Sequence, residues 1–94
     1  MAVLIDDPLW WWRGRRWCHM VSDTSLDELH EFADARGIPR RSFQGDHYDI
    51  PEDYRHDMVR AGAVEVGSRE LVRRLRAAGL RLTPEQRRQR AEGA

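Results

Sequence analysis

Lysine is absent from this chain of 94 residues, and all 16 basic side chains are arginine. Cysteine is almost absent. A lone Cys18 rules out an intramolecular disulfide, and with it a small secreted domain stapled by such bonds. Uninterrupted apolar runs last only a few residues, far short of the ~20 that span a bilayer. Met1 to Asp7 has too short an apolar run, and turns acidic too early, for a secretory leader. Glycine-rich phosphate loops, paired-cysteine motifs and a serine nucleophile elbow are missing. What remains is the expectation of a soluble protein of the reducing cytoplasm, with no membrane partner.

A chain this short forms one domain and buries only roughly 60–65% of the surface it exposes when unfolded. A ligand or a homodimer contact would therefore matter to its stability. The formal net charge is +0, but it is unevenly laid out. Residues 1–68 carry 8 Arg against 13 acids, and residues 69–94 carry 8 Arg against 3. Arginine grips phosphate and carboxylate in a two-pronged fork and stacks on aromatic rings. A GC-rich coding sequence also yields arginine without lysine, so composition alone does not name a nucleic-acid partner.

Ala2-Val3-Leu4-Ile5 reads as a buried strand that ends at Asp6-Asp7. A loop rich in Trp and Arg then runs from Pro8 to about Arg16, before a second strand at Trp17-Cys18-His19-Met20-Val21. Ser25-Leu26-Asp27-Glu28 is a capping box opening a helix whose Leu26, Leu29, Phe32 and Ala33 share a face. Gly37-Ile38-Pro39 stops it. A short strand around Ser42-Phe43-Gln44 leads into the polar stretch Gly45 to Asp49. A second helix from Pro51 is expected to pack Tyr54, Met58 and Ala61 inward. Ala63 to Val66 reads as a fourth strand, and Gly67-Ser68 opens a third helix burying Leu71, Val72, Leu75 and Ala78.

This alternation predicts an α/β fold: a small two-layer or three-layer open sheet of about four mainly parallel strands with three helices. The first connection, about ten residues long, also fits an antiparallel pair. Residues 1–82 make the domain. Residues 83–94 form a polar, Arg-rich tail with a good helix start at Thr83-Pro84-Glu85-Gln86 but almost no apolar face.

Ligands of open parallel sheets bind beyond the carboxyl ends of the strands. That rule points to Asp6-Asp7, Ser22-Asp23, Gly45-Asp46-His47 and Gly67-Ser68-Arg69. Asp46, His47 and Asp49 are the densest polar cluster and the candidate catalytic residues. Asp6, Asp7, Asp46 and His47 are the candidate ligands of a divalent metal such as Mg²⁺, Mn²⁺, Zn²⁺ or Fe²⁺. The same acids also suit turn and helix-dipole roles. Neighbours on a strand face opposite ways, so Cys18 and Met20 are assigned to the core and Trp17, His19 and Val21 to the other face. His30 and His56 are expected in solvent.

Trp10-Trp11-Trp12-Arg13-Gly14-Arg15-Arg16-Trp17 is the unusual segment. Three consecutive tryptophans cannot all point inward. Rings that stack on bases, with guanidinium groups that hold phosphates, suit a nucleotide or a single strand. Roofing of a small core by Trp and Arg is the competing structural role. Arg13, Arg15, Arg16, Trp12, Trp17 and His19 are thus candidate substrate-binding residues. Arg69, Arg73 and Arg76 form a positive stripe that suits either solvent or phosphate.

The segments Trp12-Arg13-Gly14-Arg15-Arg16-Trp17-Cys18-His19-Met20, Ser22-Asp23-Thr24-Ser25 and Phe43-Gln44-Gly45-Asp46-His47-Tyr48-Asp49-Ile50-Pro51 resemble a bacterial and phage family. It is filed as domain of unknown function four-thousand-thirty-one. The likeness runs from residue 1 to about residue 80. A first-strand tyrosine of the family is replaced by leucine, and Trp11 is extra. The resemblance implies that the Arg-Trp-His and Asp-His-Tyr-Asp segments are a signature, and brings no activity with it. Three functions stand in order. The first is an enzyme on a phosphorylated or nucleotide-like substrate, acting at an Asp/His site with or without a metal. A non-catalytic nucleotide or nucleic-acid binding module comes second, and a homodimeric interaction domain third.

Overall fold

The computed structural model describes residues 2–93. Met1 of the expected domain and Ala94 of the expected tail lie outside them. The sheet contains β1 (Val3–Ile5), β2 (Trp10–Trp12), β3 (Arg15–Ser22), β4 (Tyr48–Pro51) and β5 (Val64–Glu65). Its helices are α1 (Leu26–Ala35), α2 (Glu52–Arg60), α3 (Ser68–Ala77) and α4 (Pro84–Gly93).

β3 is the centre. β1, β2 and β4 all pair with it antiparallel, and only β5 runs parallel to its neighbour, β1. The expectation of a mainly parallel sheet is therefore wrong. The Trp/Arg segment is not a loop but half of a hairpin, which reverses the chain without any crossover helix. Arg13 (φ 49) and Gly14 (φ 76) form its two-residue turn, both left-handed, as the twist of a tight hairpin requires. Phe43 makes only an isolated bridge to Tyr48 after a 3-10 turn at Arg40–Ser42, so the strand expected at Ser42 starts instead at Tyr48.

β4 pairs with Trp17 and Met20, which β2 and β1 also partner. Hence β1 and β2 share one edge of β3 and β4 lies on the other. The register of β1 (Ile5 opposite Met20) and of β2 (Trp10 opposite Trp17) leaves residues 6–9 facing only Cys18 and His19. The chain bulges out there, at Asp6-Asp7-Pro8, where proline has no amide to give the ladder.

Alternation along β3 sorts its side chains into two cores. Cys18 and Met20, with Val3, Ile5 and Ile50, pack under Leu29 and Ala33 of α1 and Met58 of α2. Val21 and Leu4 pack under Leu71 and Leu75 of α3. Helices thus cover both faces, giving three layers. Tyr54 faces solvent rather than the core. His30 is not solvated either: its Nδ1 lies 2.7 Å from the Tyr48 hydroxyl and its ring sits edge-on to Phe43. Burial and the Arg40 charge hold that imidazole below its usual pKa.

Caps follow the sequence closely. Ser25 accepts the Glu28 amide at 3.1 Å, but Glu28 does not reach back to an amide. Its carboxylate takes the Ser22 hydroxyl hydrogen at 2.5 Å, and the Ser22 oxygen accepts the amides of Thr24 and Ser25. At α4, Thr83 Oγ1 accepts the Gln86 amide (3.1 Å) while Gln86 Oε1 accepts the Thr83 amide (3.0 Å), a complete reciprocal box.

Candidate metal and acid–base centre

The α3 face of the sheet is covered by α3 only at its Leu4–Val21 end. Beyond that cover, His19 of β3 and Asp49 of β4 stand opposite each other in register. His47 precedes β4, and its Nε2 lies 3.1 Å from Asp49 Oδ1. One ligand atom each from His19, His47 and Asp49 fall within 4.8 Å of one another. The two imidazoles meet edge to face at 5.1 Å, and Trp10 stacks on the outer face of His19 at 4.4 Å.

Each histidine is backed by a buried carboxylate. Asp6 is 1% exposed and Asp46 0% exposed. The bulge after β1 turns Asp6 inward, where Oδ1 accepts the His19 amide at 2.6 Å and Oδ2 accepts from His19 Nδ1 at 2.8 Å. The carboxylate thus stands in for the missing strand and also holds the ring. Since a carboxylate only accepts, Nδ1 carries the hydrogen, and in the neutral ring the lone pair is on Nε2. Ser68, at the start of α3, donates to Asp6 Oδ2 at 3.1 Å. Arg55 of α2 donates to the Asp6 carbonyl at 2.8 Å and fixes the bend from below.

Asp46 serves His47 in the same manner, accepting from Nδ1 at 2.7 Å. Its other oxygen accepts the Leu82 amide at 3.0 Å, with Arg81 and Arg87 each 3.9 Å away. Burial alone would raise the Asp46 carboxyl; the His47 ring, the Leu82 amide and Arg87 outweigh it and hold it below the usual range. Burial alone would lower the His47 ring, but its bonds to Asp46 and Asp49 raise it above the usual imidazole value. Both imidazoles, the Asp6 carboxylate and Ser68 line a cleft of about 190 Å³, walled by Leu71 and Leu75 of α3 and rimmed by Arg81 and Arg87, while Asp46 and Asp49 hold the His47 ring from outside it. Such a set can move protons or ligate a metal ion.

The residues singled out in the sequence divide into two groups. Asp46, His47, Asp49, Asp6 and His19 come together here. Asp7 does not: it faces solvent and pairs with Arg55 at 3.6 Å. Arg13, Arg15, Arg16 and Trp12 lie out on the β2–β3 hairpin, with Trp17 at its base. Sequence reasoning had Ser68 at its strand-end rim and Trp10 only within the Trp/Arg segment, and it missed Arg81 and Arg87. The last two come from a segment with no apolar face, and the Leu82 amide bond to Asp46 and the close approach of α4 to Gly45 bring them in: a Cβ at Gly45 would lie 2.7 Å from the Arg87 carbonyl oxygen. The carboxyl-end rule failed as a general guide, because an antiparallel sheet has no single such rim. It survives at the one parallel pair, where Asp6 follows β1 and Ser68 follows β5.

The family described as Protein of unknown function (DUF4031) matches residues 3–78. This chain belongs to DUF4031. The match spans both histidines and all three carboxylates, while Arg81, Leu82 and Arg87 fall beyond it. No curated protein and no solved structure matches the chain. No helix among the described residues is long and apolar enough to cross a membrane.

Proposed function

We propose that this DUF4031 chain is an enzyme that hydrolyses a phosphorylated or nucleotide-like substrate, with a divalent metal ion held by His19, His47 and Asp49. One observation carries the reading: both histidines give Nδ1–H to a fully buried carboxylate, the arrangement that fixes metal-ligating imidazoles by their far nitrogen. The 3.1 Å between His47 Nε2 and Asp49 Oδ1 is also close to the roughly 3.3 Å separating two ligands bound ~2.0 Å from one tetrahedral ion. Two imidazoles and a carboxylate favour Zn²⁺, Fe²⁺ or Mn²⁺ over Mg²⁺.

The bound ion would supply Lewis acidity and a water made nucleophilic near neutral pH. Arg81 and Arg87 flank the cleft where they can neutralise phosphoryl oxygens, the charge that builds as the phosphorus–oxygen bond breaks. Asp6 and Asp46 hold the rings still, which keeps the reorganisation cost of each turnover low.

The test is melting of metal-stripped protein with each of Mg²⁺, Mn²⁺, Zn²⁺ and Fe²⁺, followed by turnover of an activated phosphodiester with the stabilising ion. A metal at a hundred times its dissociation constant stabilises by ~2.7 kcal/mol, which raises the melting temperature of a domain this size by about 10 °C or more. That shift should vanish in His19→Ala and His47→Ala. If no ion shifts melting, or the shift survives both substitutions, the metal reading fails. Turnover that persists in chelator would instead assign the two dyads to metal-free acid–base catalysis, for which their geometry is also suited.

A further inference from the structure

We infer that the sheet face bearing Trp10, Trp12 and Trp17 holds the bases of a single-stranded nucleic acid and leads its backbone to the His19–His47–Asp49 cluster. The second half of this inference rests on the function proposed above; the first half does not.

Register places these rings together. Trp10 is opposite Trp17 and Trp12 opposite Arg15, so Trp10, Trp12 and Trp17 emerge on the same face as His19. Trp11 and Arg16 emerge on the other. Ring contacts run along that face from the hairpin tip to the cluster. Trp12 and Trp17 lie 5.4 Å apart, Trp10 and His19 4.4 Å apart, and His19 and His47 5.1 Å apart. Neither α3 nor any other helix covers the outer part of the track, and Trp12 is left 50% exposed. The Trp17 Nε1–H donates to the Trp12 carbonyl at 2.8 Å and braces the hairpin. That brace lowers the cost of ordering the hairpin when a ligand binds.

The charge around the rings selects the occupant. Arg13 lies 4.5 Å over the Trp12 ring, and among the described residues it pairs with no carboxylate. Arg81 and Arg87 stand at the far end of the track. One exposed ring and two half-buried ones, flanked by guanidinium groups, match a strand whose bases stack and whose phosphates are anionic. A duplex buries its base faces and offers nothing to such rings. A purely apolar partner would leave Arg13 desolvated without a counter-charge.

The experiment is fluorescence anisotropy of labelled eight-base oligothymidylate and oligouridylate with the full chain in chelator, repeated across a salt series. Either strand should bind, with affinity falling steeply as salt rises. Trp12→Ala should weaken binding about ten-fold, and Trp12→Phe should restore most of it. Trp11→Ala, on the opposite face, should change binding less than about two-fold. Binding is read in chelator, where no ion is present, so loss of the metal reading and loss of this one are separable. Three results would overturn the inference: no binding of either strand at low salt, equal binding of a duplex, or indifference to Trp12→Ala. A concentration-dependent dimer that Trp12→Ala dissolves, with no strand bound, would overturn it in favour of a second copy of the chain.

Discussion

Asp23 joins three parts of the chain with one carboxylate. It accepts the Ala2 amide at 2.8 Å and the Thr24 hydroxyl at 3.0 Å, and forms an ion pair with Arg74 of α3. Burial alone would raise its pKa, but the Ala2 amide, Arg74 and Thr24 win and hold it at about 2. A depressed carboxyl stabilises the fold above its unfolded value and loses that contribution as pH falls from about 4 through about 2. With solvent screening the contribution is on the order of 1 kcal/mol. Acid titration of melting temperature should show this loss, and Asp23→Asn should flatten the curve across the same window. Cys18 differs in kind: burial, with Asp6 nearby, pushes its thiol up to about 12, and it donates to the Ile50 carbonyl at 3.4 Å. It is an inert core residue, as strand alternation implied, although His19 is its neighbour in sequence.

At the scale of elements, the helices were legible and the sheet was not. Ser25, Thr83 and the glycines after α1, α2 and α3 are local signals, read within a turn of where they act. Strand direction is a property of pairs, and nothing in Trp10-Trp11-Trp12 alone distinguishes a loop from a hairpin arm whose left-handed turn uses an arginine. Asp46, His47 and Asp49 stood out because they cluster in sequence. Asp6 and His19, 13 residues apart, meet only because β1 and β3 pair. The start of α4 was legible at Thr83 but its docking was not, since it docks by backbone approach rather than by an apolar stripe. Gly45 (φ +96) is the contact point, and a Cβ there would meet the Arg87 backbone at 2.7–2.8 Å. Gly45→Ala should cost about 2 kcal/mol through that clash and the left-handed backbone. Hydrogen exchange should show protection lost across α4 while β1 and β3 keep theirs; an unchanged α4 would refute the contact.

The whole molecule divides into a packed body and a strap. Every buried apolar side chain among the described residues lies between Val3 and Leu75. A chain ending after Leu80 should therefore still unfold cooperatively. It should melt roughly 5–10 °C lower, because Asp46 loses the Leu82 amide and both arginines. A truncated chain that melts without cooperativity would show the strap to be part of the core.

The two oxygens of Asp6 carry a further consequence. One closes the gap in the β1–β3 ladder and the other aims the His19 ring. Selection on the fold and selection on the orientation of His19 thus act on the same side chain. A change to asparagine puts an amide group where an N–H or the ring now donates, so neither pressure can relax while the other holds. Asp6 is where inheritance of the shape and inheritance of the ring's aim become a single constraint, and on the function proposed above, lineages that abandoned the chemistry should betray it there by rebuilding the strand.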